Sequence, residues 1–305
     1  MPPNTSQLHT IRDWLRFTVS QFEANNIFFG HGTDNSYDEA VWLVMSALHL
    51  PHDTLHNFLD ANITEPERKH LAHLIQQRVT KRVPTAYLLR EAWLRGFKFY
   101  VDERVIVPRS FIAELLDFNE DGEHGLQPWI EHPELINSAV DICTGSGCLA
   151  VLMAHAYPAA DIDAVDLSAD ALTVAQRNVL DYGLADRINL LRSDLFANLR
   201  DKRYDVIISN PPYVTAVAMS DLPPEHRHEP NLALAGGDDG LDHVRSILND
   251  APRFLNPGGT LVVEVGNNRS ATEIAFPQVP FVWLETATSP DSVFLLKRED
   301  LVAAV

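Results

Sequence analysis

"VDICTGSGCLAVLMAHAY", Val140 to Tyr157, sets the reading of the whole chain. A short β-branched run, a glycine turn and an apolar helical stretch follow one another with little polar interruption. Strands buried on both faces have this uniform character, and they belong to parallel sheets covered by helices. Gly145 and Gly147 permit φ values closed to other residues and let backbone N–H groups approach a ligand at a helix N-terminus. Taken alone, Gly145, Gly147 and Ala150 also satisfy the G-x-G-x-x-A dinucleotide fingerprint, with Asp166 about twenty residues on, so a nicotinamide enzyme stays open at this point.

Downstream and upstream of that stretch the pattern repeats. "SAVDICT", "DIDAVDLS", "INLLRSD", "YDVIISN", "GTLVVEVG", "FVWLETA" and "SVFLLKR" alternate with helical stretches, which predicts an α/β fold with a doubly wound, Rossmann-like sheet over residues 110–305. Only "TSPD" separates the last two runs, too little for a crossover helix, so the last strand is expected to be antiparallel. Residues 1–94 read as a smaller helical domain. Leu8, Ile11, Leu15, Val19 and Phe22 line one helical face; Asn35 or Ser36 starts a second helix that Pro51 stops; Thr64 caps a third, with Pro66 in its first turn and Pro84 beyond its end. "FKFYVDERVIVP" alternates at Phe97, Phe99 and Val101, breaks at Asp102, Glu103 and Arg104, and resumes at Val105 and Val107, which predicts a linking β-hairpin over 95–109.

The 305 residues, 46% hydrophobic, suffice for a large core, and no run approaches the roughly 20 apolar residues of a membrane span. With no secretory leader in the first thirty residues, the expected location is cytoplasmic and off the membrane. Cys143 and Cys148, the two cysteines, read as reduced packed thiols. His226 and His228 in "EHRHEP" read as exposed residues of a mobile acidic loop, so no metal site is expected. A net charge of −18 repels phosphate backbones and favours a basic protein partner over direct, sequence-specific nucleic-acid binding.

Three strand ends carry chemistry. Asp166 closes the second strand, where a carboxylate faces the ligand crevice and can accept both ribose hydroxyls. Asp194 and Leu195 end the third, with an acceptor for an adenine amino group and an apolar face for its ring. At the fourth lies "SNPPYV", Ser209 to Val214: two prolines freeze the backbone between Asn210 and Tyr213. A planar amino nitrogen is a poor nucleophile until its lone pair is freed. The Asn210 side-chain oxygen and the Pro211 carbonyl can each accept one N–H of such a group, with Tyr213 stacked on its plane.

"DICTGSG", the acidic second strand and "NPPY" together resemble the class I S-adenosylmethionine-dependent methyltransferases of amino nitrogens. "VIVPRSFIAELL" and "EPNLALAGGDDGLD" are similar to the protein-glutamine methyltransferases, and "GHGTDNSYDEAVWLV" to their branch acting on the third large-subunit ribosomal protein. The resemblance spans about Ile11 to Leu296 and implies a seven-stranded methyltransferase sheet and S-adenosylmethionine as cofactor. It implies cofactor contacts from Asp141, Cys143, Thr144, Gly145, Ser146, Gly147, Asp166, Leu167, Asp194, Leu195 and Asn210. Asn210, Pro211, Pro212 and Tyr213 would be the catalytic segment, with Arg109, Glu229 and Pro230 shaping the substrate mouth. The substrate implied is a basic ribosomal protein, free or in a large-subunit precursor. Release factors, a nucleic-acid adenine amine and a non-catalytic role in ribosome assembly are the alternatives. Cys143 departs from the family, standing where many relatives have the first glycine of the loop, so its thiol is expected to turn from the ligand or the loop to shift.

Overall fold

A computed structural model describes residues 5–116, 125–130 and 132–304. Its N-terminal region is helical because caps and apolar spacing agree. Thr10 and Asp13 form a reciprocal capping box at α1 (Ile11–Ala24), and Asn35 caps α2 (Ser36–Ala47) by accepting from Asp38 N. After the single turn α3 (Leu55–Phe58), Thr64 and Glu67 box the start of α4 (Glu65–Lys81), with Pro66 in its first turn; α5 (Thr85–Leu89) follows. Trp14, Phe22, Leu43, Met45 and Leu71 close a core among these helices.

The hairpin sits earlier than its sequence pattern predicts. β1 (Ala92–Leu94) pairs with β2 (Phe97–Phe99), so the helical reading up to Leu94 runs too far and Asp102–Arg104 is not the turn. Arg95 and Gly96 make the turn, with φ of 50° and 80°, the two successive positive values that a primed hairpin turn demands. Val105 and Val107 are buried without a strand partner and pack with Ala171 and Val174. Alternating β-branched residues register burial; they do not say whether the cover is a strand or a helix.

The short α6 (Ile112–Leu115) leads into the sheet: β3 (Ser138–Ile142), β4 (Asp161–Asp166), β5 (Ile188–Arg192), β6 (Tyr204–Ser209), β7 (Leu255–Glu264), β8 (Val282–Leu284) and β9 (Val293–Lys297). Their order is β5-β4-β3-β6-β7-β9-β8, and only β9 runs against the rest, as the short "TSPD" connection requires. Between them lie α7 (Cys148–Ala156), α8 (Ala169–Asp181), α9 (Ala216–Asp221), α10 (Asp242–Phe254), α11 (Arg269–Ala275), and α12 (Arg298–Ala304) after β9. Ala139 faces one core, with Leu152 and Ile162, while its neighbours Val140 and Ile142 face the other, with Phe196 and Phe254. Strand order reverses between β3 and β6, which opens a crevice at their carboxyl ends. Among the described residues no helix is long and apolar enough to cross a membrane.

Candidate functional site

The glycine loop leaves β3 through alternating left-handed residues: φ is 64° at Cys143, 56° at Gly145 and 78° at Gly147. Beneath it Asp141 is fully buried. Its Oδ2 accepts from Thr144 Oγ1 at 2.5 Å and from Ala150 N at 3.1 Å, while Oδ1 has no partner and no contact with solvent. Burial raises this carboxyl to about 7, against the pull of the Thr144 and Ala150 bonds. From the outer side Asn178 of α8 donates to Ser146 O at 2.8 Å and exchanges bonds with both backbone groups of Tyr100, tying the loop to the segment after the hairpin. Gly147 is crowded, since a Cβ there would stand 3.1 Å from Ala175 Cβ, whereas a Cβ on Gly145 would meet no atom within 4 Å. The space beside Gly145 is therefore left open by the protein.

Asp166 faces that space. Its Oδ2 accepts from Gly145 N and its Oδ1 from Ser168 N, each at 2.9 Å, so the carboxylate is locked in place with lone pairs to spare. Burial raises its pKa, opposed by those backbone bonds. Ser193 bridges the next turn by donating to Leu195 O, and Leu195 takes a φ of 43°. Cys143, Gly145, Asp166, Leu167, Asp194, Leu195, Asn210, Pro212 and Pro230 line one cleft of about 730 Å³ including its mouth. The structure brings nine of the expected site residues together in this way. Asp141, Thr144, Ser146 and Gly147 lie off its wall, in and under the loop; Pro211, Tyr213, Arg109 and Glu229 are also off the wall. Both cysteines are free, and Cys143 lines the cleft in the left-handed conformation that glycine adopts without strain.

Asn210 follows β6 directly. Among the described residues its carboxamide has no hydrogen-bond partner and stands bare at the cleft, and the carbonyl of the adjacent, buried Pro211 accepts no backbone bond. The segment after them is clamped from outside. Val214 N donates to Leu234 O and Gly236 N to Val214 O, both at 2.8 Å, and Asn268 Nδ2 donates to Tyr213 O at 2.8 Å. Glycine is required at this contact: a Cβ on Gly236 would lie 2.7 Å from Tyr213 Cα, and one on Gly240 would lie 2.4 Å from Tyr213 O. That steric need accounts for "AGGDDGLD", which the sequence shows only as a turn-rich loop.

Glu229 serves as an internal anchor. Arg109 grips both of its oxygens, at 2.5 and 2.8 Å, and Val107 N and His226 Nδ1 add bonds at 3.0 and 3.1 Å. Burial favours the protonated acid, and the bonds from His226 and Arg109, with His31 Nε2 3.5 Å away, overcome it, holding the carboxyl far below its usual range. The ligand atoms of His31, His226 and Glu229 lie within 4.8 Å of one another, but the guanidinium already supplies the cation of this cluster. His226 and His228 are only half-exposed and have partners: the His226 ring lies tilted 4.3 Å from that of His31, and His228 Nε2 meets Lys81 O at 2.8 Å. Glu225, also buried, takes bonds from Phe28 N, Arg78 and Arg82 of the helical region. These partners are more than a hundred residues away in the chain, so no local pattern announced them. Val105 and Ile106, read in the sequence as part of a hairpin, also line the cleft wall, as does Leu232 of the "EPNLAL" segment.

The methyltransferase small domain matches residues 126–222, and the PrmC N-terminal domain matches residues 13–89. The chain is 55% identical over 296 residues to the ribosomal protein uL3 glutamine methyltransferase of Neisseria gonorrhoeae, covering 97% of each. To the protein of that name from Bordetella pertussis it is 54% identical over 298 residues, covering 98% of each. Among solved structures, the hMettl16 catalytic domain bound to the MAT2A 3'UTR hairpin 6 shares the fold, with a TM-score of 0.50 at 15% identity over 79% of this chain and 84% of that one. With relatives this similar along nearly its whole length, the chain belongs to the family of ribosomal protein uL3 glutamine methyltransferases.

Proposed function

We propose that the protein transfers a methyl group from S-adenosylmethionine to the side-chain amide nitrogen of a glutamine in ribosomal protein uL3. The observation that carries this reading is the unpartnered Asn210 carboxamide at the wall of a cleft that also holds Asp166, with the Pro211 carbonyl next to it in the chain and free of backbone bonds. The cleft fits the cofactor on its own chemistry. Gly145 leaves its near side open, Asp166 keeps lone pairs for two hydroxyls, Asp194 and Leu195 offer an acceptor and an apolar face, and Asp141 holds a buried oxygen with no partner. S-adenosylmethionine bound there would supply a methyl group on a sulfonium centre, an excellent leaving group.

The chain's own residues supply alignment. Asn210 and Pro211 each accept one N–H of the glutamine amide, which draws the lone pair out of conjugation and toward the methyl. Proline rigidity holds the acceptors before substrate arrives, and positioning of this kind is worth about 7 to 11 kcal/mol. The nitrogen becomes acidic as the new bond forms, so its proton departs late and no strong base is needed. Arg109, Glu229 and Pro230 hold the rim. Residues 1–94 form the substrate-recognition region and 110–305 the cofactor-binding domain. The buried Arg78–Glu225 pair fixes the helical region to the loop that continues into the cleft wall, which puts that region beside the mouth where substrate enters. A net charge of −18 speeds encounter with a basic ribosomal protein, free or in a precursor particle, and a ribosomal substrate places the enzyme in the cytoplasm.

Labelled-methyl transfer into lysate from cells lacking the enzyme, followed by mass mapping, tests the proposal. Label on a uL3 glutamine is expected. Label confined to release factors or to nucleic acid would overturn it.

A further inference from the structure

Glu264, the last residue of β7, is fully buried and has no cationic partner among the described residues. Its Oε2 accepts from Ser110 Oγ at 2.6 Å and from Phe111 N at 2.8 Å; its Oε1 accepts from Tyr213 Oη at 3.0 Å. A buried carboxyl without a counter-charge is costly, and the reaction as described leaves this one unused. The same tyrosine is held from two further directions. A Cβ on Gly266 would stand 2.6 Å from the ring, so the backbone there lies flat against it, and Asn268 holds the Tyr213 carbonyl.

We propose that Glu264 is a positioning residue for Tyr213, fixing the ring by its hydroxyl so that its plane is set across the glutamine-amide site before substrate binds. The proposal rests on the amide-binding reading of Asn210 to Tyr213. Its distinctive content is that the hydroxyl matters only as a handle: it touches Glu264, and the ring touches the substrate. Removing either end of the handle releases the same ring.

The test compares Glu264→Leu, which is close in size and carries no polar atom, Tyr213→Phe and the double variant for transfer to purified uL3, with cofactor affinity measured by calorimetry. Each single variant is expected to lower kcat about 10- to 100-fold, the scale of a small misplacement at a reacting centre, with the S-adenosylmethionine Kd unchanged. The double variant should be no slower than the worse single one. Wild-type kcat in Tyr213→Phe, or losses that multiply in the double variant, would overturn the proposal. If Glu264→Leu does not fold, Tyr213→Phe keeps the Ser110 and Phe111 bonds intact and decides the matter with Gly266→Ala, which displaces the ring from its other side and should lose kcat similarly. Fluorotyrosine labelling reads the tether apart from catalysis: a ring fixed in the wild type and averaged in Glu264→Leu is expected, and a ring already averaged in the wild type would refute the tether. A wild-type enzyme with a fixed ring that leaves uL3 unmodified would sink the functional reading alone.

Discussion

The two walls of the cleft are stiffened by different means. On the glycine-loop side the polar groups hold one another: Asp166 is bonded to Gly145 and Ser168, Asp141 to Thr144 and Ala150, and Ser146 to Asn178. On the Asn210 side the two acceptors take no bond among the described residues, and the rigidity comes from two prolines, from glycines pressed against Tyr213, and from hydrogen bonds placed beyond the acceptors, at Tyr213 and Val214. A wall that only binds can spend its hydrogen bonds on itself. On the proposed reading the other wall takes hold of two amide protons, so its acceptors stay free and its stiffness is supplied by the prolines, by close packing and by bonds to the residues that follow.

The comparison breaks first, and most severely, at Asn210. On the proposed reading Asn210→Ala removes a side-chain acceptor for the glutamine amide, so kcat should fall about 10²- to 10³-fold, as for the loss of one preorganised catalytic hydrogen-bonding group, while calorimetry finds the cofactor Kd little changed. A main effect on cofactor binding would erase the division of labour between the walls. Next in size is steric stiffening. Gly240→Ala places a methyl 2.4 Å from Tyr213 O at a φ of 80°, so overpacking and backbone strain together should cost about 2 to 4 kcal/mol in denaturant unfolding. Gly145→Ala, strained at a φ of 56° but unobstructed by protein, should cost only about 1 to 2 kcal/mol and show itself mainly as weaker cofactor binding. Equal costs at the two glycines would contradict the contrast.

Asp166→Ala should weaken cofactor binding by about 1.5 to 3 kcal/mol, the range for bonds to a charged group, and leave turnover at saturating cofactor nearly intact. The smallest effect is a pH dependence. Burial raises Asp141 and Glu264 to about 7, from an ordinary carboxylate value of about 4. Between those limits the folded state binds more protons than the unfolded one, so the stability contributed by these groups is present at low pH and lost as pH rises through about 7. The melting temperature of Asp141→Asn, compared with the wild type from pH 5.5 to 8, should lack its share of that decline. A parallel pair of curves would place the Asp141 carboxyl at an ordinary pKa.

Each run read as a sheet strand is one, and the helix starts at Asn35 and Thr64 are where the caps put them. Both signals are local: a cap answers its own amides, and a strand buried on two faces needs apolar residues at every position. The hairpin was misplaced because its turn is Arg95-Gly96, without the Asn-Gly or Asp-Gly that marks such turns, and because Val105 and Val107 imitate a strand while packing on a helix. At the site, the residues that line the cleft from the loop, the strand ends and the proline segment were legible as motifs. Glu264 looked like one polar residue in "LVVEVG", and Glu225 like one acid in an acidic loop. Glu229 too read as a bare acid in a loop, since nothing local shows the arginine that grips both of its oxygens.

What the chain's order of residues determined was the alternation of strand and helix, the antiparallel last strand and nine of the residues that line the cleft. Those follow from spacing, capping and backbone freedom, which act over a few residues. Only the tertiary structure decided which acceptors are bare and which are spent, because a carboxylate's state depends on donors brought from far along the chain: Arg109 to Glu229, Arg78 to Glu225, Ser110 and Tyr213 to Glu264.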